Sequence, residues 1–314
     1  MSEGYVAYGL SLHSSFPLPG MAPVELEQPA SLGLALEAPA DLEAAWSGSV
    51  APSPWRGRLG DGQMLTIERG VDGDLCFAYG DRARFHLSPA GDRLCCAPQD
   101  ASRLDWQRVL LSRVLPNVSI AQGNEALHAC AVETPLGVVA VAALSGTGKS
   151  TLARELIRRG RPLFADDALI LSRADGAIEA QAGTPHMNIA AGDADCGQLG
   201  ERLAELGGES WLAVHGACSG GREVAAVVIL ERGPDLALEA RPLSGTILAL
   251  APYMLGLPDD EGRDGSRFAL YSDLAESARL IQLSGGPADP PAALADAVEN
   301  VLGLSSPFAA EGIR

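Results

Sequence analysis

VVAVAALSGTGKSTLARELIRRGRPLFADDALIL, residues 138–171, reads as strand, loop, helix and strand in that order. Val138 to Leu144 is a continuous apolar run of strand length, the pattern of a strand buried on both faces. The loop Ser145 to Lys149 follows, and a helix runs from Ser150 to Arg159, stopped by Gly160. Pro162 to Ala165 begins the next strand, which ends at Asp166 and Asp167. Two strands joined through a helix form a βαβ unit, so a parallel sheet is expected at the heart of this domain.

The loop fits the pattern GxxxxGK[ST], with Ala143 in the place of the first glycine. Gly146 and Gly148 let the backbone turn its N–H groups inward around phosphates, and the helix that follows adds its N-terminal dipole. The expected nucleotide-binding set is Ser145, Gly146, Thr147, Gly148, Lys149, Ser150 and Thr151. Lys149 would reach the terminal phosphates of ATP, and the Ser150 hydroxyl would coordinate Mg2+. Of the 23 basic residues, Lys149 alone is lysine. A compact ammonium on a flexible stem does what a planar guanidinium does not, so its retention points to a specific task.

Asp166 and Asp167 come seventeen and eighteen residues after Lys149, at the end of the very next strand, which is expected to neighbour the loop strand. That short spacing suits a kinase: one carboxylate takes the proton from an attacking hydroxyl while the other helps hold the metal. His128 lies in LHACAV (127–132), an apolar strand beside the loop strand, where either a structural or a functional role is open.

Outward from this centre, residues 1 to about 98 alternate short apolar runs with turns such as Asp61-Gly62 and Asp72-Gly73, with one helix near Asp41 to Trp46. That pattern is β-rich. A connecting helix is expected from Asp100 to Val114, ended by Pro116. The expected division is therefore 1–120 and 121–314. Beyond the acidic pair the sequence suggests strands at Val224 to Leu230 and Ala237 to Ala240, and helices at Gly245 to Tyr253 and Ala292 to Leu302. DDEGRDGS (259–266) reads as a polar loop, LSGGP (283–287) as a surface turn, and the tail after Ser305 as frayed.

The formal net charge of −17 opposes phosphate backbones, so nucleic acid is not an expected partner. No stretch has the length and apolarity of a membrane span, and no secretory signal opens the chain. The six cysteines have no metal-ligand spacing, which suggests free thiols in a reducing cytoplasm.

LHACAV (127–132), SGTGKST (145–151) and LARELIRRGRPLFADDALIL (152–171) together resemble the HPr kinase/phosphorylase superfamily. YVAYGLSLHSSFPLP (5–19) further resembles the subgroup that accompanies lasso-peptide gene clusters. The resemblance implies a P-loop kinase domain with a central mixed sheet, preceded by a small β-rich domain. It implies ATP and Mg2+ as cofactors and a peptide or protein acceptor serine, the C-terminal one of a lasso precursor. It also leaves a homo-oligomer open. Carried over by position, Asp166 is the catalytic base, His128 its partner, Lys149 the phosphate clamp, Ser150 a metal ligand and Asp167 a second one. The family's Glu-Ile-Arg-Gly-Leu-Gly segment has no counterpart in EAQAGTPHMN (179–188), which points away from HPr as acceptor and away from phosphorolysis. His186, His215 and Arg222 are secondary candidates for substrate contact, and the arginine that would meet the transition state is open among Arg222, Arg241, Arg263 and Arg267. A small-molecule hydroxyl kinase and a non-catalytic ATP-binding regulator are the competing readings.

Overall fold

The computed structural model describes residues 3–46, 48, 55–174, 176–193, 196–244, 246–258 and 260–304. By compactness the chain forms two units. The first comprises residues 1–124, 184–215 and 256–262; the second comprises 125–183, 216–255 and 263–314. The division at 120/121 thus assigns three segments, 121–124, 184–215 and 256–262, differently from the contacts.

The first unit opens with β1 (Glu3–Ala7), β2 (Leu10–Ser14), β3 (Leu32–Leu36), α1 (Pro39–Ala45), β4 (Trp55–Arg58), β5 (Met64–Arg69), β6 (Leu75–Tyr79), β7 (Ala83–Leu87) and β8 (Arg93–Pro98). These strands form one sheet in the order β1-β2-β3-β8-β7-β6-β5-β4, with alternate residues such as Leu65 and Ile67 buried. After them comes α2 (Asp105–Val109), a π turn at Leu110–Val114, and α3 (Leu115–Ala121). Pro116 therefore does not end the helix as expected; it sits in the first turn of α3. Proline has no N–H to give the carbonyl four residues back, and the wider π turn absorbs the mismatch. Asn117 Nδ2 donates to the Arg113 carbonyl at 2.8 Å and Ser112 Oγ to the Arg108 carbonyl at 2.7 Å, supplying side-chain donors along this stretch.

The second unit begins with β9 (Glu125–Leu127), β10 (Ala129–Thr134), β11 (Gly137–Ala142), α4 (Lys149–Arg158), β12 (Leu163–Ala165), β13 (Leu169–Ala174) and β14 (Ala177–Gln181). The expected strand at 127–132 is two strands, parted at His128, whose N–H leaves the ladder to donate to the Tyr253 carbonyl at 2.7 Å. The chain then returns to the first unit through β15 (His186–Ala190), α5 (Cys196–Leu199), β16 (Gly200–Leu206) and β17 (Glu209–Val214), a sheet of order β15-β17-β16. The second unit resumes with β18 (Gly221–Arg232), β19 (Glu239–Pro242), β20 (Met254–Leu255), α6 (Asp264–Ser277), β21 (Arg279–Gly285) and α7 (Pro291–Leu302).

This second sheet is mixed. Its order is β12-β10-β11-β18-β14-β13-β9-β20, and β21, with β19 beyond it, pairs along the later part of β18. β11, β18 and β21 run parallel, whereas β10 is antiparallel to both β11 and β12. The loop strand and the acidic strand are thus not neighbours as expected: β10 lies between them. The crossover through α4 still makes them parallel, so both end at one rim. β11 is apolar throughout because both its faces are covered. Val138, Ala140 and Ala142 pack with Leu270, Tyr271 and Leu274 of α6, while Val139 and Val141 pack with Leu152 and Leu156 of α4 and Leu294 and Val298 of α7.

Three further expectations change. Residues 247–253 form two short 3-10 turns, Ile247–Ala249 and Ala251–Tyr253, because Pro252 has no N–H to give the Leu248 carbonyl that a continuous α-helix would pair; Gly245 lies outside the described residues. Within the polar stretch 259–266, α6 begins at Asp264, held by Arg263 and Arg267 on the buried Glu125 at 2.6 and 2.9 Å; Asp259 lies outside the described residues, as does the tail from 305. Leu283, Ser284 and Gly285 are the end of β21 rather than a surface turn.

Candidate active site

The loop between β11 and α4 has its glycines where the backbone demands them. Gly146 (φ 80°) and Gly148 (φ 107°) occupy the left-handed region, and a Cβ on either would meet no atom within 4 Å. Their constraint is therefore conformational, and the space above the loop is open, as a phosphate cradle requires. Ala143 has no positive φ and is fully buried in the layer shared with α4 and α7, so the pattern's first glycine is not needed there. Ser145 and Gly146 are exposed, Thr147, Gly148 and Ser150 half-buried, and Thr151 exposed on the first turn of α4.

Lys149 is the buried member of the loop, its side chain 7% exposed. Its Nζ donates to Asp167 Oδ1 at 3.0 Å and lies 3.5 Å from Cys130 Sγ. Burial by itself lowers the pKa of the ammonium. Cys130, Asp167 and Asp166 outweigh that, and the pKa lies above that of a free lysine. Cys130 is fully buried on β10, and desolvation together with Asp166 pushes its pKa well up, so at neutral pH it is a thiol. The charges that hold Lys149 protonated there are therefore the carboxylates.

The Cys130 thiol donates to Asp166 Oδ1 at 2.9 Å and lies 3.6 Å from Ser150 Oγ. One sulfur thus touches the acidic strand end, the lysine and the first helical hydroxyl. The acidic pair turns sharply: the Ala168 N–H reaches the Asp166 carbonyl at 2.8 Å, and Asp167 adopts φ 69°, one of two non-glycine residues with positive φ among those described. Such a conformation costs energy and persists where its surroundings impose it. His128 Nδ1 lies 3.0 Å from the Asp167 carbonyl and 3.4 Å from Asp167 Oδ1. The resemblance set His128 beside Asp166; the structure brings Asp167 against both His128 and Lys149, and Asp166 against Cys130 and close enough to Lys149 to act on its charge.

The secondary candidates lie elsewhere. His186 belongs to the first unit, where Nε2–H donates to the Pro19 carbonyl at 2.7 Å and the ring lies 4.8 Å from that of Trp211. His215 is exposed in the first unit. Arg222 is at the start of β18, the end away from the loop, and binds Glu133 at 3.0 Å. Arg241 binds Gln282, and Arg263 and Arg267 bind Glu125.

Arg232, at the opposite end of β18, was not singled out from the sequence. It lines a cavity of about 510 Å³ together with Gly146, Thr147, Gly148 and Thr151. The signal was present: Arg-Gly-Pro (232–234) ends an apolar strand, and parallel strands deliver their last residues to the rim where the loop emerges. Recognising it required knowing that β18 lies next to β11. Ser150 and Asp167 carry oxygen donors of the kind Mg2+ takes, although among the described residues no three His, Cys, Asp or Glu side chains are gathered as a metal site.

No helix among the described residues is long and apolar enough to cross a membrane, and all six cysteines are free. No family model matches the chain, and no curated protein matches it. Among solved structures the chain is similar to the HPr(Ser) kinase/phosphatase from Coxiella burnetii, with 15% identity and a TM-score of 0.34, over 56% of this chain and 90% of that one.

Proposed function

We propose that this protein is an ATP-dependent kinase that phosphorylates a hydroxyl group, with a peptide or protein serine as acceptor. One observation carries the reading: the lone lysine of a glycine-turned loop is buried against the acidic end of a parallel strand, 3.0 Å from Asp167. A phosphate-binding loop and a proton acceptor at one rim are what phosphoryl transfer needs.

The backbone N–H groups of 146–151 and the N-terminal end of α4 hold the phosphates, and Lys149 draws charge from the terminal ones. Ser150 and Asp167 would hold Mg2+, which would neutralise charge on the phosphate oxygens. The acceptor oxygen attacks the γ-phosphorus, the bond from that phosphorus to the bridging oxygen breaks, and ADP leaves with its electron pair. The acceptor's proton passes to Asp166, which the Cys130 thiol holds in place. Asp167 and His128 set the resting position of Lys149. A lasso-type precursor ending in serine is the acceptor favoured by the N-terminal resemblance.

The test is incubation with ATP, Mg2+ and a panel of serine-ended precursor peptides, read by mass spectrometry. One peptide should gain a single phosphate, and Asp166→Asn should lower the rate by about 100-fold or more. Phosphate appearing on a metabolite and on no peptide would replace the acceptor class; tight ATP binding without transfer would replace the enzyme by a regulator.

A further inference from the structure

The second unit contains a cavity whose use the phosphate chemistry leaves unassigned. Its floor is the loop and the first turn of α4, at Gly146 to Gly148 and Thr151. One wall is Arg232, Gly233 and Pro234, where β18 ends; the other is Pro287, Asp289 and Pro291, between β21 and α7. Its volume, about 510 Å³, is within the range of small-molecule sites, roughly 300–1,000 Å³.

The strand order gives this cavity a direction. β11 delivers the loop; β10 and β12 lie on one side of it and β18 and β21 on the other. Cys130 lies on β10 and Asp166 directly follows β12, so the proposed base stands on the β10 and β12 side, while His128 and Asp167 sit where the chain passes between those strands and β9 and β13. In-line transfer points the γ-phosphate at the acceptor and its base, so the rest of the donor molecule extends the other way. That other way leads past Thr151 into the cavity.

The walls are built to hold a shape. Arg232 Nη2 donates to the carbonyls of Gly286 and Asp289 at 2.6 and 3.1 Å, and the Gly233 N–H to the Gly285 carbonyl at 3.1 Å. Asp289 Oδ2 accepts the Gly286 N–H at 2.7 Å. The two walls are thus tied across their base, and the proline rings are presented as rigid apolar surfaces. Flat apolar faces with a few fixed polar groups suit an aromatic base and a sugar.

The geometry points to this cavity as the nucleoside subsite: the base and ribose of the triphosphate donor lie between the 232–234 and 287–291 loops. The assignment rests on the phosphate-loop reading and goes beyond it, since phosphate recognition alone does not distinguish ATP from bare tripolyphosphate. Pro234 and Pro287 are exposed on its rim, so a large side chain there changes the cavity without entering the core.

The experiment compares Mg-ATP with Mg-tripolyphosphate by titration calorimetry, on the full chain and on Pro234→Trp and Pro287→Trp. Circular dichroism confirms that the variants are folded. The wild type should bind ATP at least tenfold tighter than tripolyphosphate. In at least one variant that ratio should move fivefold or more while tripolyphosphate affinity stays within twofold. A change in either direction places the nucleoside at the substituted wall. Equal wild-type affinities, or an unchanged ratio in both folded variants, would overturn the subsite and leave the phosphate loop standing. If wild type binds neither ligand, the loop reading falls and the subsite with it.

Discussion

Lys149 shows what a single side chain can settle. It lies 3.0 Å from Asp167 and 3.5 Å from Cys130, in a setting that keeps it protonated. Arginine keeps the charge but not the reach or the compact head, so Lys149→Arg is expected to lower phosphoryl transfer by about 100-fold, nearly as far as Lys149→Ala. Parallel rate assays on the two variants would check this, and an active Arg variant would refute it. His186 makes the opposite point. Burial lowers its pKa to about 4, and its Nδ1 has no partner among the described residues. The unfolded chain takes up the proton near the ordinary value of about 6.5 and the folded chain resists it, so stability is full above that value. It is lost as pH falls from about 6.5 toward 4, by on the order of 3 kcal/mol. Urea midpoints at pH 7 and pH 5 should diverge less in His186→Phe, which keeps a ring against Trp211. That Lys149, the loop glycines and the acidic pair belong to one strand-loop-helix-strand segment could be read from the sequence. The contacts of Asp167 with His128 and Lys149 could not, because they depend on the left-handed turn at Asp167.

Among the elements, α4 and β11 were readable because every level agreed: an apolar run, glycines at positive φ, and a helix stopped by Gly160. α6 was obscured because its first turn is polar, and its anchoring acid, Glu125, is more than a hundred residues away. The break at His128 was hidden for a similar reason, since the Tyr253 carbonyl that takes its N–H comes from a distant turn. A shared carboxylate also secures α4 to α7. Arg159 and Arg161 both reach Glu299, at 2.8 and 3.0 Å, and Glu299 is 3% exposed. Removing a buried acceptor that serves two guanidiniums costs more than a surface pair would. Glu299→Ala should therefore destabilise the protein by about 3 kcal/mol in urea unfolding, whereas Arg202→Ala, which removes an exposed pair with Glu205, should cost less than about 1 kcal/mol.

For the whole molecule, the linear order of the sequence suggested two successive domains, and the contacts make the first discontinuous. The Pro19 carbonyl depends on His186, and Arg108 reaches Glu209 at 3.3 Å, so strands β15 to β17 complete what residues 1–124 begin. A fragment of residues 1–120 is accordingly expected not to fold alone; a dispersed two-dimensional amide spectrum from it would refute this. The same interleaving has a consequence on the ribosome. The opening hundred residues emerge first, but the unit they belong to also draws on residues 184–215 and 256–262, and when residue 215 leaves the exit tunnel the phosphate loop and the acidic turn are already outside. The early strands can pair into their own eight-stranded sheet, but the part of the unit supplied by β15 to β17 is missing through that interval, and slow translation beyond residue 124 would lengthen the exposure of the incomplete unit to chaperones and proteases.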